Sequence, residues 1–340
     1  MSFVLLNKIE PQPIEFLEPA SFNLTSDSIL NDALRAAEAH RRVRSSVQQI
    51  LKPGVSLLQI IETVEKATRA LLVGEKNNGI GFPCGVSLND CAAHFTLNPG
   101  DRNIILKESD ILKIDFGTHS NGRIMDSAFT VCFDPKFEQL LKASQEATKR
   151  GLEVIGIDMM VCEIGREISE VFKSFEIELD NKIMPIKPIW NLNGHSIEQY
   201  RIHGEFSIPP INNGDTSRVS EGFCAIETFA STGKGEVCDK GEASHFMINR
   251  NPPSSKIYNA KNEKVLKTIQ KEFGTLPFSP RHVEFYSPDS FSSIKLLSLR
   301  KFIDPYPPLH DLPNSFVAQF EHTVYLSDTG KRILTNGNDY

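Results

Sequence analysis

The chain has 340 residues and a mass of 38.0 kDa, with 43 acidic against 37 basic side chains, a formal charge of −6 and a pI near 5.9. With 40% hydrophobic and 24% charged residues, it has the make-up of a folded globular protein rather than of a disordered, collagen-like or coiled-coil chain. The mild acidity argues against a nucleic-acid partner held by bulk charge, a local basic patch being the alternative; no apolar run reaches the roughly 18 residues of a membrane helix, and Phe3 to Leu6 is too short for a secretory signal.

A cytoplasmic location is therefore expected. After a lead containing Pro11, Pro13 and Pro19, Ser26 or Asp27 is placed to cap a helix. In it, Leu30, Ala33, Leu34, Ala37, Val43, Val47, Ile50 and Leu51 follow a three-and-four spacing. Lys52-Pro53-Gly54 stops this helix, and a second is predicted from Ser56, with Leu57, Ile60, Ile61, Val64, Ala67 and Leu71 on one stripe and Gly74 beyond its end. From about residue 80 to 133 the pattern changes to short β-type runs separated by Gly, Pro and Asn. A helical signal returns from Phe137 to Val154, and Gly156-Ile157-Asp158 leads into a helix marked by Ile164, Ile168 and Val171. That order echoes Gly54-Val55-Ser56 followed by Ile60, Val64 and Ala67, so two α/β halves of similar layout are expected, with a site at their junction. Strand-like segments follow at Trp190 to His203 and Phe223 to Phe229.

Residues 246–305 break the pattern. Asn251-Pro252-Pro253 leads into a helical run from Asn259 to Phe273, then a Pro- and Ser-rich stretch and a helical piece around Ser290 to Phe302. The β-type signal resumes only at Ser315 to Leu326. Residues 1–245 plus 306–340 are thus expected as one domain, and 246–305 as a helical insertion with its own small core. The six cysteines form no C-x-x-C pair, which disfavours a zinc knuckle or thioredoxin-type site and leaves buried or half-buried free thiols.

Two runs, Ile111 to Gly117 and Ile124 to Val131, flank a Gly/Asn turn and read as a β-hairpin. Taking Ser120-Asn121 as its two-residue loop sets His119 against Gly122 and Asp115 directly opposite Asp126. Like charges in that position destabilise unless something neutralises them, and each Asp lies within an apolar run where an uncompensated charge is costly. A shared cation answers both points; exposed carboxylates flanking a turn are the alternative. Three further segments place a ligand type inside an apolar or Gly-rich strand: Asn191 to Ile197 with His195, Ala225 to Phe229 with Glu227, and Val317 to Val324 with Glu321. Taken singly, each is a weak signal: a His beside Gly is more often a satisfied core histidine, and a Glu in a strand more often an edge residue or a buried salt-bridge partner.

Taken together, a set of strings resembles type 2 methionine aminopeptidases from about residue 28 to Tyr340. They are Cys91-Ala92-Ala93-His94-Phe95-Thr96, Lys113-Ile114-Asp115-Phe116-Gly117-Thr118-His119, Asn191-Leu192-Asn193-Gly194-His195-Ser196-Ile197, Tyr200-Arg201-Ile202-His203, Ala225-Ile226-Glu227-Thr228-Phe229, Asp304-Pro305-Tyr306-Pro307-Pro308 and Ala318-Gln319-Phe320-Glu321-His322-Thr323. The resemblance implies an α/β (α+β) pita-bread fold, with two pseudo-symmetric halves around a dimetal site. It also implies the insertion that type 1 enzymes lack, and the 94 positions separating Glu227 from Glu321 leave room for it.

By resemblance, Asp115 chelates one metal, Asp126 and Glu321 bridge both, and His195 and Glu227 complete the other. Such an oxygen-rich set suits two divalent ions of the Co, Zn, Mn or Fe type. The implied activity is removal of the initiator methionine from nascent proteins with a small second residue, by a dimetal-activated bridging hydroxide. Glu227 is then the proton-transfer group, His203 contacts the substrate amide, and His94 lies near the substrate amine. Phe82, Ile202, Phe229, His245 and Tyr306 line the methionine pocket, and Pro277 stands where the family often has a small residue. The implied partners are nascent polypeptide N-termini and the ribosome, although the Lys-rich or acidic N-terminal extension of many eukaryotic members is missing. A monomer that binds neither membrane nor specific nucleic acid is expected. Prolidases and aminopeptidase P share fold and metals, but the insertion and the Asn-Gly-His-Ser-Ile and Tyr-Arg-Ile-His strings argue against them.

Overall fold

The computed structural model describes residues 28–72, 77–254, 257 and 259–340, so the Pro-containing lead, the Ser26 or Asp27 cap and Gly74 lie outside the described residues. Helix α1 (Ser28–Ile50) buries Ala33, Ala37, Val43 and Val47 on the expected stripe. Helix α2 (Leu57–Leu71) begins where the Ser56 hydroxyl accepts the N–H of Gln59, satisfying one of the donors that a helix start leaves open. Both pack on an antiparallel sheet of β1 (Asn78–Leu88), β3 (Ile111–Ser120) and β4 (Arg123–Cys132), with β3 in the middle. The short strand β2 (Cys91–Ala93) leads into His94.

The second half repeats that order. Helices α3 (Glu138–Val154) and α4 (Val161–Phe172) precede β5 (Gly194–Ile197) and β6 (Gly222–Ser231). Of the strand-like stretch from Trp190 to His203, only β5 is ladder of any length: Tyr200 turns the chain at φ 57°, and its N–H reaches the Gly122 carbonyl at 2.8 Å. Strand β7 (His245–Ile248) opens residues 246–305, which then contain α5 (Ala260–Glu272), α6 (Pro280–Tyr286) and α7 (Phe291–Leu299) and return through β8 (Ile303–Tyr306). The two strands pair antiparallel with His245 opposite Tyr306. Phe246, Val265, Ile269, Phe278, Val283 and Ile294 form a separate buried cluster there. Helix α6 lies in the stretch read only as Pro- and Ser-rich; Ser279 caps it and Pro280 stands in its first turn, the arrangement that favours a helix start. Strand β9 (Val317–Ser327) pairs with β6 along its whole length.

The hairpin register differs from the expected one. Its loop is Asn121-Gly122, not Ser120-Asn121: Ser120 pairs with Arg123, Gly117 with Asp126 and Asp115 with Ala128. Asn121 at φ 48° and Gly122 at φ 75° both take the left-handed conformation that a two-residue hairpin turn needs, which Asn-Gly supplies at least strain. Asp115 and Asp126 are thus diagonal neighbours on one face rather than directly opposed.

The halves meet at β4 and β9 through hydroxyls instead of a backbone ladder. Thr323 Oγ1 accepts from the Asp126 N–H at 2.8 Å and donates to the Asp126 carbonyl at 2.7 Å. Thr130 Oγ1 does the same for Gln319, at 2.7 Å each way. Ser127 donates to the Glu321 carbonyl at 2.7 Å. These bonds fix where Asp126 stands relative to Glu321. Among the described residues, no helix is long and apolar enough to cross a membrane, and all six cysteines are free, five buried or half-buried and Cys238 exposed.

Candidate metal centre

Strand alternation sends residues two apart to the same side of a sheet. In the β6–β9 ladder Glu227 lies directly opposite Glu321 and Phe229 opposite Gln319, while Ala225 faces His195 on β5. Glu227, Glu321, Gln319 and His195 therefore share one face. From the first half, Asp115 and Asp126 share the face of Gly117. A Cβ on Gly117 would sit 2.3 Å from the Phe82 ring, so only glycine lets that ring lie against the strand beside Asp126.

The two faces converge on one cavity. Asp126, His195 and Glu321 are buried, and their ligand atoms all lie within 4.8 Å of one another. Asp126 Oδ2 is 3.6 Å from His195 Nε2. The Gln319 amide donates to Asp115 Oδ2 and to Glu227 Oε2, both at 3.2 Å, tying those carboxylates together. Burial, and then the neighbouring carboxylates, press against ionisation here. Burial pushes Asp115 up to about 7 against the pull of the Gln319 bond. Glu227 rises to about 8 through burial and then the Asp115 charge. Asp126 and Glu321 rise well above the usual carboxylate range, through burial first and then their carboxylate neighbours. Burial pushes His195 down to about 3, leaving it neutral.

Several atoms in this cluster lack a partner. Asp115 Oδ1 and Glu321 Oε2 are buried with no hydrogen bond. His195 Nδ1 lies 3.2 Å from the Ser196 carbonyl, which assigns its proton to that nitrogen and turns the Nε2 lone pair toward Asp126. A lone pair and carboxylate oxygens aimed at one another repel unless a cation lies between them. The donor set, four carboxylates and one imidazole, fits a divalent metal ion of the harder first-row type.

Around this centre, the His203 ring stands perpendicular to His195, with centroids 4.6 Å apart, and is exposed. His94 lies 5.9 Å from His245 and 6.1 Å from Tyr306 between ring centroids. Its backbone φ of 63° is a left-handed conformation uncommon for a non-glycine residue. Burial pushes His94 down to about 4 and His245 to about 3, so both are neutral near pH 7. The cavity has a volume of about 100 Å³. All five expected ligands line it, as do His94, His203, Phe82, Ile202, Phe229, His245, Tyr306 and Pro277. Gln319, Met247 and Leu192 escaped the sequence reading. Gln319 lies two residues before Glu321 on one strand and Met247 two after His245, so alternation alone could have found both.

The profile of metallopeptidase family M24 matches residues 32–328. The chain is 52% identical to methionine aminopeptidase 2 of Encephalitozoon hellem, over 100% of both chains. It is 43% identical to methionine aminopeptidase 2 of Saccharomyces cerevisiae, over 91% of this chain and 76% of that one. Among solved structures, it superposes on a thermophilic Arx1 with a TM-score of 0.78 at 19% identity, covering 93% of each chain. A methionine aminopeptidase from Thermotoga maritima matches with a TM-score of 0.61 at 18% identity, over 93% of this chain and 99% of that one. These two likenesses speak for the fold alone, the pita-bread α/β arrangement expected from the sequence.

Proposed function

The chain belongs to metallopeptidase family M24, and from that membership we infer that it is a methionine aminopeptidase of type 2, removing the initiator methionine from nascent proteins whose second residue is small. The observation that carries the site assignment is that four carboxylates and a neutral imidazole line one cavity, three of them with ligand atoms within 4.8 Å of one another and with buried acceptor atoms left unpartnered. We assign Asp115, Asp126, His195, Glu227 and Glu321 to hold two divalent ions of the Co, Zn, Mn or Fe type. When bound, such ions supply Lewis acidity, lowering the pKa of water and polarising a carbonyl.

The remaining steps fall to side chains. Glu227 faces the cavity with one oxygen held by Gln319; ionised once cations offset the charge of its carboxylate neighbours, it would take a proton from the attacking water and return it to the leaving nitrogen. His94 is neutral near pH 7, so its unprotonated ring nitrogen accepts a hydrogen bond from the substrate's α-amine, whose own pKa is about 8. His203, exposed beside His195, donates to the oxygen of the scissile amide as charge develops there. Phe82, Ile202, Phe229, His245 and Tyr306 enclose an unbranched apolar side chain, which a small cavity lined by neutral groups favours over a charged one. Residues 246–305 act as an insertion whose two ends, at His245 and Tyr306, rim that cavity. With nascent chains as substrate we place the protein in the cytoplasm, and since one chain provides all five proposed ligands, the site needs no second copy to complete it.

A Met-X-Ser peptide series on the metal-loaded protein tests this reading. Release of methionine is expected where X is Gly, Ala or Ser, with a steep fall for Leu or Phe; equal release for every X, or none at all, would contradict it.

A further inference from the structure

The strand that enters the insertion also grips the turn that carries His94. Ser244, the residue before β7, is 1% exposed and lies outside the cavity lining. Its hydroxyl oxygen accepts the Thr96 N–H at 3.0 Å, and its proton faces the His94 carbonyl and His245 Nδ1, each 3.3 Å away. Beside it, the Asn98 side-chain amide donates to the Ala243 carbonyl at 3.2 Å.

These bonds fall where the chain needs them. His94 leaves β2 at φ 63°, a left-handed conformation that is costly for a residue with a side chain and that glycine would adopt freely, but without an imidazole. The turn takes the His94 carbonyl and the Thr96 N–H out of any strand ladder, and a buried backbone group without a partner is expensive. One hydroxyl answers both, as acceptor for the N–H and as donor toward the carbonyl. On the other side the Val86 N–H donates to the Phe95 carbonyl at 2.7 Å, so residues 94–96 are held between β1 and Ser244. The ring is met from the far end of the insertion, where Tyr306 stands edge-on at 6.1 Å and the Pro307 carbonyl favours a ring proton on its own side. A neutral ring with its proton there turns the bare nitrogen away from Pro307.

We propose that Ser244 is a positioning residue: its hydroxyl holds the 94–96 turn in the left-handed form that aims His94 at the substrate's amine, so the entry strand of the insertion governs amine recognition without touching substrate. The inference rests on the aminopeptidase reading above. A displacement of about 1 Å at a group that must meet its partner can cost about a hundredfold in rate. Loss of a hydroxyl that serves only packing would instead be felt in stability, with turnover per folded molecule unchanged.

A double-mutant cycle tests this. Ser244→Ala, Ser244→Thr, His94→Ala and the combination of Ser244→Ala with His94→Ala are assayed beside the parent on a Met-Ala-Ser peptide, with metal content and folded fraction measured for each. Ser244→Ala should lower kcat/KM by about ten- to a hundredfold with metal stoichiometry unchanged, and Ser244→Thr, which keeps the hydroxyl, should recover most of the loss. In the His94→Ala background the same Ser244→Ala change should cost less than about twofold, because no imidazole is left to misplace. A loss repeated in full in that background, or a parent-like rate in Ser244→Ala, would overturn the proposal. NMR of the histidine rings in the metal-free protein reads the same role without turnover. The His94 ring, assigned by its disappearance in His94→Ala, should show one neutral tautomer in the parent and mixed or broadened signals in Ser244→Ala; an unchanged His94 signal would overturn the proposal as well. If the parent releases no methionine, the functional reading falls by itself; then, as when His94→Ala is too slow to assay, the ring spectrum decides whether Ser244 holds His94. If Ser244→Ala does not fold, Ser244→Cys, close to serine in size and a weaker hydrogen-bond former, replaces it in every comparison.

Discussion

On its two faces, strand β9 buries carboxylates in opposite ways. On one face Glu321 points into the cavity with Asp126, His195 and Glu227. On the other His322 stacks on Tyr340 at 4.5 Å, and the Tyr340 hydroxyl lies 2.9 Å from Ser127 Oγ and donates to the Ala128 carbonyl at 3.0 Å. Beside it, Asp339 accepts two bonds from the Arg44 guanidinium, at 2.6 and 2.7 Å, and one from Gln48 at 2.8 Å. Burial works to raise the Asp339 pKa, but the Arg44 bonds outweigh it and hold the group below the usual carboxylate range. At Asp126 and Glu321 burial acts in the same direction without an opposing cation, and both rise. The contrast separates a region that stabilises the fold by satisfying its own charges from one that leaves them open to a ligand.

The sharpest way to break this comparison is to remove charge from each side. Asp126→Asn or Glu321→Gln should lower hydrolysis of a Met-Ala-Ser peptide on the order of 10³-fold or more. The thermal midpoint of the metal-free protein should not fall, because a like-charge conflict is relieved; a retained rate would remove these residues from the mechanism. Arg44→Ala leaves the largely buried Asp339 uncompensated and should cost about 3–5 kcal/mol in denaturant unfolding, with turnover per folded molecule little changed. An unmoved midpoint would mean that the pair stabilises nothing.

Gln319→Ala sharpens the contrast on the cavity side. Without the amide that links Asp115 and Glu227, metal affinity should weaken by about 10–100-fold, as read by competition with a chelator; unaltered affinity would reduce Gln319 to packing.

The smallest effect is a difference of sign with pH. Asp115 and Glu227 have folded pKa values raised to about 7 and about 8. In the metal-free protein their contribution is complete below the unfolded carboxylate range and is lost as pH rises toward about 8. Asp339 is depressed, so its contribution is present above the unfolded value and is lost as pH falls through the folded one. Thermal midpoints of the metal-free protein should therefore decline from weakly acidic to neutral pH, and Arg44→Ala should leave that decline in place. A rise over the same interval would mean that the site carboxylates are compensated from within.

Much of this site is legible in the sequence because its ligands sit in short strings that together resemble those of type 2 methionine aminopeptidases, whereas each string alone reads as ordinary core. The hairpin around Asp115 and Asp126 follows from alternation and a turn. Its register does not follow from alternation alone, since Ser120-Asn121 and Asn121-Gly122 both leave the two carboxylates on one face. Only the demand for two left-handed residues selects Asn-Gly. Helix α6 was signalled by Ser279-Pro280, but it is short and surrounded by turn formers. The hydroxyl seam of Ser127, Thr130 and Thr323 is invisible in one dimension, because it joins residues 189 to 197 positions apart.

Elemental analysis of the protein after loading and desalting tests the central claim most directly. Two equivalents of divalent metal per chain in the parent, falling to one or fewer in both Asp126→Asn and Glu321→Gln, is the expected result. Stoichiometry that those substitutions leave untouched, or full methionine release from protein stripped of metal, would contradict it.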